Sequence, residues 1–380
     1  MENLSKLKEL QSMTLDEKID CTKEQIRIWK EVWGTDKVYI SYSGGKDSTV
    51  MLDICDRYFP NEIPVVYVDT GLELPSVKEL ALKRADRVLK PQMTISEVIK
   101  RYGYSLISKE VSGVIKGAKR NNKSSLKSID GSRANEYGGR YDYSKWAFLV
   151  DAPFLISDDC CRKLKKECIH RYESESGRHP IVATMAAESQ LRASKWVMKG
   201  SNDFESKRPV SKPISIWTEQ DIYTYIKRNN LPIASIYGKV VEKDSLETQL
   251  SLWDLCASLD ESICNEENCQ YRLTGCTRTG CAMCLYGVHL EKRPNRFEIL
   301  DKHGLSYIRD YCMRGGYFNE NGLWEPDEQG LGYWFVLGYL NKFLKKKVFV
   351  PDYDNYRRTY GERRTDYYLK DNIERTLINK

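Results

Sequence analysis

Ser43-Gly44-Gly45-Lys46-Asp47-Ser48, directly after Lys37-Val38-Tyr39-Ile40-Ser41-Tyr42, is the stretch from which the fold can be read. The apolar and aromatic run predicts a strand, and the six residues after it predict a phosphate-binding loop. Two consecutive glycines let the backbone turn sharply and bring successive N–H groups toward an oxyanion without a Cβ in the way. Ser48 to Tyr58 reads as a helix with Val50, Met51, Leu52 and Ile54 toward a core, so its N-terminus adds partial positive charge to the same place. Lys46 offers a full cation, Ser43 and Ser48 offer hydroxyls, and Asp47 can order the loop or hold magnesium. The spacing is not that of the Walker motif, which needs four residues between its first glycine and a terminal Gly-Lys-Ser/Thr. Lys46 and Asp47 read alternatively as a simple surface ion pair.

Further segments follow in order. Ile63 to Val68 is a second apolar run, ending in Asp69-Thr70-Gly71. Downstream lie Asp159-Cys160-Cys161-Arg162-Lys163-Leu164-Lys165 and Ala187-Glu188-Ser189-Gln190-Leu191-Arg192, then Pro213 to Tyr237 with Trp217-Thr218-Glu219-Gln220-Asp221-Ile222. The SGGKDS loop resembles the pyrophosphate-binding loop of the N-type ATP pyrophosphatase superfamily, whose members cleave ATP between the α and β phosphates. VDTG, CCxxxK, ESxxR and the P…W…DI…Y stretch resemble its phosphoadenosine phosphosulfate (PAPS) reductase branch, across about residues 37 to 240. The resemblance implies an α/β fold, a doubly wound parallel sheet with helices on both faces. It also implies a nucleotide site drawn from Ser41, Ser43, Gly44, Gly45, Lys46, Asp47, Ser48, Asp69, Thr70, Gly71, Glu188 and Arg192.

The 380 residues exceed one ordinary domain, and 41% hydrophobic with 30% charged residues fits a soluble globular protein. The longest apolar stretch, Tyr333 to Leu340, is too short for a membrane span, and MENLSKLKEL lacks the apolar centre of a signal peptide. The expected location is the cytoplasm, with no membrane partner. There the 12 cysteines are buried fillers or ligands rather than disulfides.

Periodicity and composition divide the chain into a helical leader over 1–36, a stretch of alternating strands and helices over 37–239, which the resemblance implies is a PAPS reductase-like ATP pyrophosphatase domain, and a cysteine-rich, mainly helical C-terminal domain over 240–380. Thr14 or Asp16 caps the leader's helix, Lys18 to Val32. Helices are expected over Ser76 to Leu89, Ile95 to Tyr102, Lys109 to Lys119 and Ser189 to Met198, with a strand over Pro180 to Ala186. Thr218, with Asp221 three residues on, caps another helix reaching about Asn229. Alternating strands and helices imply a parallel sheet with ligand at the carboxyl ends of its strands. Residues 121–143, polar and almost free of aliphatics, read as a mobile surface loop.

Cys276-x4-Cys281-x2-Cys284 places two thiolates on one tight turn with a third nearby, a site for one metal or cluster. Three cysteines leave it incomplete, and the fourth ligand is drawn from Cys160, Cys161 or Cys312. In adenylyl sulfate reductases the resemblance implies a [4Fe-4S] cluster on a CC pair and a distant CxxC. In DNA phosphorothioation sulfurtransferases it implies one early and three late cysteines. Thiolate ligation suits Zn2+ as well, so spacing leaves both metals open. His289 could join a zinc site or be an ordinary polar residue. Cys168, Cys264 and Cys269 could form a small knuckle, and Cys21 and Cys55 read as buried apolar fillers.

PAPS and adenylyl sulfate reductases carry a degenerate first loop and a C-terminal Glu-Cys-Gly-Leu-His segment, and this chain has neither feature. The intact loop resembles members that split ATP, and the cysteines add sulfur chemistry. The expected activity is an ATP-dependent sulfurtransferase that adenylates an acceptor with Mg2+ and then transfers sulfur from a donor such as a cysteine desulfurase. Lys46, Asp47 and Arg192 are its expected catalytic residues, although Glu188 and Arg192 also fit a plain helical i,i+4 pair. Net charge is +6, with basic clusters at 116–120, 162–166 and 342–347 and arginines at 357, 358, 363 and 364 among tyrosines. Such a surface suits a nucleic acid acceptor, a small metabolite being the other choice. An assimilatory reductase and a non-catalytic nucleotide-binding redox or defence module are the competing functions.

Overall fold

A computed structural model describes residues 2–137, 139–243 and 270–361. In chain order the elements begin with α1 (Glu2–Ser12), α2 (Leu15–Trp33), β1 (Val38–Tyr42), α3 (Lys46–Tyr58), β2 (Val65–Val68), α4 (Pro75–Arg84) and β3 (Arg87–Leu89). They continue with α5 (Ile95–Tyr102), β4 (Leu106–Ile107), α6 (Lys109–Lys119), α7 (Lys123–Ile129) and α8 (Ser132–Tyr137). Then come α9 (Glu167–Ser176), β5 (His179–Val182), α10 (Gln190–Lys199), β6 (Asn202–Asp203), β7 (Val210–Ser211), α11 (Glu219–Asn229), β8 (Val240–Glu242), β9 (Tyr271–Leu273) and β10 (Leu285–Tyr286). No helix among the described residues is long and apolar enough to cross a membrane.

The chain forms two compact units, each discontinuous: residues 1–91 with 165–280, and residues 92–164 with 281–380. This differs from the expected divide near 240. The antiparallel β8–β9 pair stays in the first unit, where Gln220 on α11 brackets β9, accepting from the Tyr271 amide and donating to its carbonyl, both at 2.9 Å. Residues 92–164, expected within the nucleotide domain, fold with the C-terminal stretch, and β4 pairs in parallel with β10.

The first unit holds a six-stranded sheet ordered β3-β2-β1-β5-β7-β6. Every pair is parallel except β6 with β7. From β1 the chain steps outward through β2 and β3, and later strands lie on β1's other side, so the order reverses between β1 and β5. Loops leave both strands there, and the crevice at their carboxyl ends is where open α/β sheets bind ligands. The core beneath is formed by Trp29, Ile40, Val50, Met51, Ile54, Ile181 and Trp217, all buried.

Several boundaries differ from expectation. The helix predicted over Ser76 to Leu89 ends at Arg84, and 87–89 is a strand. Asp86 causes the break: its amide donates to the Val65 carbonyl at 2.9 Å and its carboxylate accepts from the Val65 amide at 2.7 Å, drawing the chain onto β2. The strand read over Pro180 to Ala186 is β5, ending at Val182. The polar stretch 121–143 contains α7 and α8 rather than an open loop. The residues that made it look irregular are caps: the Asn122 side chain accepts from the Ser125 amide at 3.1 Å, and Asp130 accepts from the Ser132 amide at 2.8 Å.

In the second unit an aromatic core replaces aliphatic packing. Trp324 stacks on Phe335 at 4.4 Å between ring centroids, and Phe148 stacks on Phe343 at 4.3 Å. Tyr104 is buried, and its hydroxyl donates to the Leu331 carbonyl at 2.9 Å.

Candidate functional site

Ser43 to Ser48 link β1 to α3 with little freedom. Gly44 has φ +73°, and a Cβ there would meet the Val77 carbonyl of α4 at 2.3 Å, so both its conformation and its surroundings demand glycine. The loop is folded on itself by hydroxyls: Ser43 Oγ lies 3.0 Å from Ser48 Oγ, and Ser48 Oγ donates to the Gly45 carbonyl at 2.9 Å. Gly45 caps α3 without a side-chain hydrogen bond. The Lys46 amide at this helix start donates instead to the Tyr237 hydroxyl at 3.3 Å, and that hydroxyl also meets Thr279 Oγ1.

The loop opens onto a cavity of about 620 Å³ in the first unit. Ser43, Gly45, Lys46, Asp47, Ser48 and Glu188 line it, bringing together six of the residues expected from sequence. Ala183, Met185 and Ala187 follow β5 and form a wall, which puts the cavity at the sheet's reversal point.

Lys46 is buried, and its Nζ lies 3.0 Å from Asp47 Oδ1 and 3.4 Å from Glu219 Oε1. Burial pushes its pKa down, but the two carboxylates outweigh this and hold it above the usual lysine value. Burial raises the Asp47 carboxyl, with the Lys46 ammonium opposing it. The pair is therefore an internal one facing the cavity, not the surface pair that was the alternative reading.

Other expected residues sit apart from the lining. Ser41 lies within β1, and Gly44 is turned against α4. Asp69 pairs with Lys78 at 2.9 Å and accepts from the Gly71 amide at 3.2 Å, while Thr70 donates to Glu73 at 2.8 Å. Arg192 is ion-paired with Glu188 one helical turn back, the i,i+4 arrangement. Glu188 also accepts from the Met185 amide at 3.0 Å.

The cavity also uses residues to which the sequence reading assigned no part in binding. Glu73 and Lys165, 3.6 Å apart, line it, as do Glu219, Tyr237, Arg278 and Thr279. Position offered a signal for two of them: Glu73 lies two residues after the Asp-Thr-Gly turn, and Glu219 directly after the Thr218 cap. Arg278 and Thr279 were masked by the cysteines around them.

The cysteines divide between the units. Cys276 belongs to the first, where it packs against the core, its amide donates to the Ile236 carbonyl at 3.0 Å, and burial raises its thiol. Cys160, Cys161, Cys281, Cys284 and Cys312 belong to the second. There Cys284 donates its amide to the Cys281 carbonyl at 3.1 Å, closing the expected tight turn. Burial raises the Cys284 thiol, and the neighbouring Cys161 adds to the rise. Tyr286 is raised by burial and by Cys161, Cys284 and Cys160, and Tyr333 by burial and by Cys312, Cys160 and Cys284. Cys160, Cys161, Cys284 and Cys312 are thus close enough to these tyrosines to act on them electrostatically, and thiolates are the donors that a cluster or zinc takes. Among the described residues no group of three or more Cys, His, Asp or Glu side chains is arranged to hold a metal.

Beside the Cys160–Cys161 pair, burial raises the Asp159 carboxyl, but hydrogen bonds from Lys116 at 2.6 Å and from Arg162 at 2.9 Å outweigh it and hold it low. His289 lies edge-on to Trp146 at 5.2 Å, with burial lowering its pKa. Cys55 is a buried filler of the first core. Cys264 and Cys269 lie outside the described residues, as do Arg363 and Arg364.

A family description, the phosphoadenosine phosphosulfate reductase domain, matches residues 37–147 and 121–286, more than half of the chain. Sulfate adenylyltransferase subunit 2 of Sulfurimonas denitrificans is 26% identical over 271 residues, covering 67% of this chain and 78% of that protein. The subunit of the same name from Shewanella putrefaciens is 28% identical over 289 residues, covering 71% and 84%. Among solved structures, a PAPS reductase from Candida auris in a phosphate complex matches with a TM-score of 0.33 and 16% identity, over 59% of this chain and 91% of that one.

Proposed function

From the premise that this chain belongs to the phosphoadenosine phosphosulfate reductase domain family, we propose that it is an ATP-dependent sulfurtransferase that cleaves ATP to AMP and pyrophosphate. The observation that carries this reading is the intact Ser43–Ser48 loop, opening with Lys46 onto a cavity of about 620 Å³ at the reversal point of the sheet. The relatives named sulfate adenylyltransferase subunit 2 add support for work on an adenylyl group.

An oxygen of the acceptor attacks the α phosphorus, the bond to the bridging oxygen breaks, and pyrophosphate leaves with its electron pair. Lys46 and the amides at the start of α3 stabilise the departing charge, and they are already oriented before it develops. Asp47 keeps Lys46 charged and is the loop's carboxylate for Mg2+. Arg192 acts through its pair with Glu188, which lines the cavity, and Asp69, paired with Lys78, supports the turn beyond β2.

In the second unit we assign Cys160, Cys161, Cys281 and Cys284 as ligands of a [4Fe-4S] cluster, with zinc as the alternative metal and Cys312 as a fifth, buried thiol beside them. When bound, a cluster of this kind supplies iron to carry or activate sulfur on its way to the acceptor. A nucleic acid acceptor is favoured by Tyr102, whose ring is approached by Arg101, Arg162 and Lys163 at 5.5, 5.8 and 5.2 Å. The sulfur donor of this scheme is a cysteine desulfurase.

Product analysis tests the reading. With water standing in for the acceptor oxygen at the α phosphorus, full-length protein incubated with ATP and Mg2+ is expected to release equal amounts of AMP and pyrophosphate. Thiol-dependent sulfite release from PAPS, with ATP left intact, would replace this reading by a reductase. Nucleotide binding with no turnover of either would reduce the protein to a binding module.

A further inference from the structure

We infer that Arg278-Thr279-Gly280, from the cysteine-rich stretch, forms a second phosphate-binding wall of the loop cavity, with Arg278 clamping the pyrophosphate portion of the nucleotide. The inference rests on the nucleotide reading of that cavity and adds to it a segment that had looked purely metal-binding.

Placement is the first argument. All three residues line the cavity together with Ser43, Gly45 and Lys46. Backbone contacts fix the segment there: the Gly275 amide donates to the Tyr237 carbonyl and the Cys276 amide to the Ile236 carbonyl, each at 3.0 Å. A Cβ on Gly275 would meet the Ile236 carbonyl at 2.4 Å, so this approach depends on glycine.

The second argument is the connection through Tyr237. Its hydroxyl touches both the Lys46 amide and Thr279 Oγ1. An oxyanion displacing that hydroxyl from the loop amide therefore arrives within one side chain of Thr279 and its neighbour Arg278. The buried tyrosine ring holds the two walls in register.

Charge decides the role of Arg278. Four carboxylates line the cavity: Asp47, Glu73, Glu188 and Glu219. Lys46 is engaged by Asp47 and Glu219, and Lys165 faces Glu73. Arg278 is exposed and makes no ion pair or hydrogen bond with the described residues. It is the lining cation left to answer a polyanion, and its planar fork suits two phosphate oxygens at once.

Calorimetric titration of the full chain with ATP, pyrophosphate and AMP tests this. Arg278→Ala should bind ATP and pyrophosphate at least about tenfold more weakly, the loss typical of a charge-assisted contact, with AMP affinity unchanged. Arg278→Lys should recover part of the loss, and the unpaired, exposed position should leave the melting temperature of both variants at the wild-type value. Unaltered pyrophosphate affinity in Arg278→Ala, with Lys46→Ala weakened, would overturn the inference and leave the nucleotide reading standing. An equal loss for AMP would also overturn the assignment to the pyrophosphate portion. Failure of the wild-type chain to bind either ATP or pyrophosphate would instead strike the nucleotide reading itself.

Discussion

Lys46 shows how one residue can be legible in sequence and still need the fold to explain its state. Its place after two glycines marks it as a phosphate ligand, but nothing local says that it is buried or that Glu219, far along the chain, shares it with Asp47. The carboxylates hold the pKa of the ammonium above its usual value, against burial, which acts to lower it. Two substitutions should then act with opposite sign. Lys46→Ala removes a charge-assisted phosphate contact of roughly 1.5 to 3 kcal/mol and should weaken ATP binding by about tenfold or more. Glu219→Gln removes a competing negative charge and should tighten binding of metal-free pyrophosphate, measured by titration in the presence of a chelator. Weaker pyrophosphate binding in Glu219→Gln would show that the carboxylate positions Lys46 rather than competes for it.

At the scale of elements, the caps were the most readable feature. Thr14 starts α2 and Thr218 starts α11, each with a reciprocal box three residues on. Tertiary structure adds a second duty to the α11 box. Asp221, whose carboxylate caps the helix, also accepts from the buried Lys18 Nζ of α2 at 2.7 Å, joining two helices distant in sequence. Asp221→Ala should therefore cost far more than a lost cap. It leaves a buried ammonium that keeps the Gln11 carbonyl at 2.7 Å but loses its counter-charge, and a loss of about 3 to 5 kcal/mol is expected, read as a shift in the denaturant midpoint. A change of only about 1 kcal/mol would mean that the cap alone matters. The short helices in 121–143 escaped the reading because their polar residues are caps, and the same serines and asparagines favour loops.

For the whole molecule, the two discontinuous units alter the reading of the cysteines. Spacing joined Cys276 to Cys281 and Cys284, yet Cys276 folds with the first unit's core while Cys281 and Cys284 fold with the unit containing Cys160 and Cys161. The expected consequence concerns metal content after purification without oxygen. Cys161→Ser and Cys284→Ser should lose iron and acid-labile sulfide, and should melt earlier because a site absent from the unfolded chain contributes its binding energy to folding. Cys276→Ser, Cys21→Ser and Cys55→Ser should keep their metal. Equal depletion in Cys276→Ser would restore the triplet as the ligand set. Stoichiometric zinc without sulfide in the wild type would make the site structural.

The sequence by itself determined the strand, loop and helix of residues 38–58, the order of the family segments and the helix caps, because each depends on neighbours within a few positions along the chain. The tertiary structure decided which of those segments share a cavity. Gly44 needs the Val77 carbonyl opposite it, Lys46 needs Glu219, and the loop amide needs Tyr237, partners that no local pattern ties together. It also decided the division of the chain, since residues 92–164 depart from the sheet and rejoin the C-terminal stretch through the β4–β10 pairing. The physical reason is the same in each case. Backbone conformation and capping are settled by short-range sterics and hydrogen bonds, whereas burial, ion pairing and thiol gathering depend on which distant surfaces the folded chain packs together.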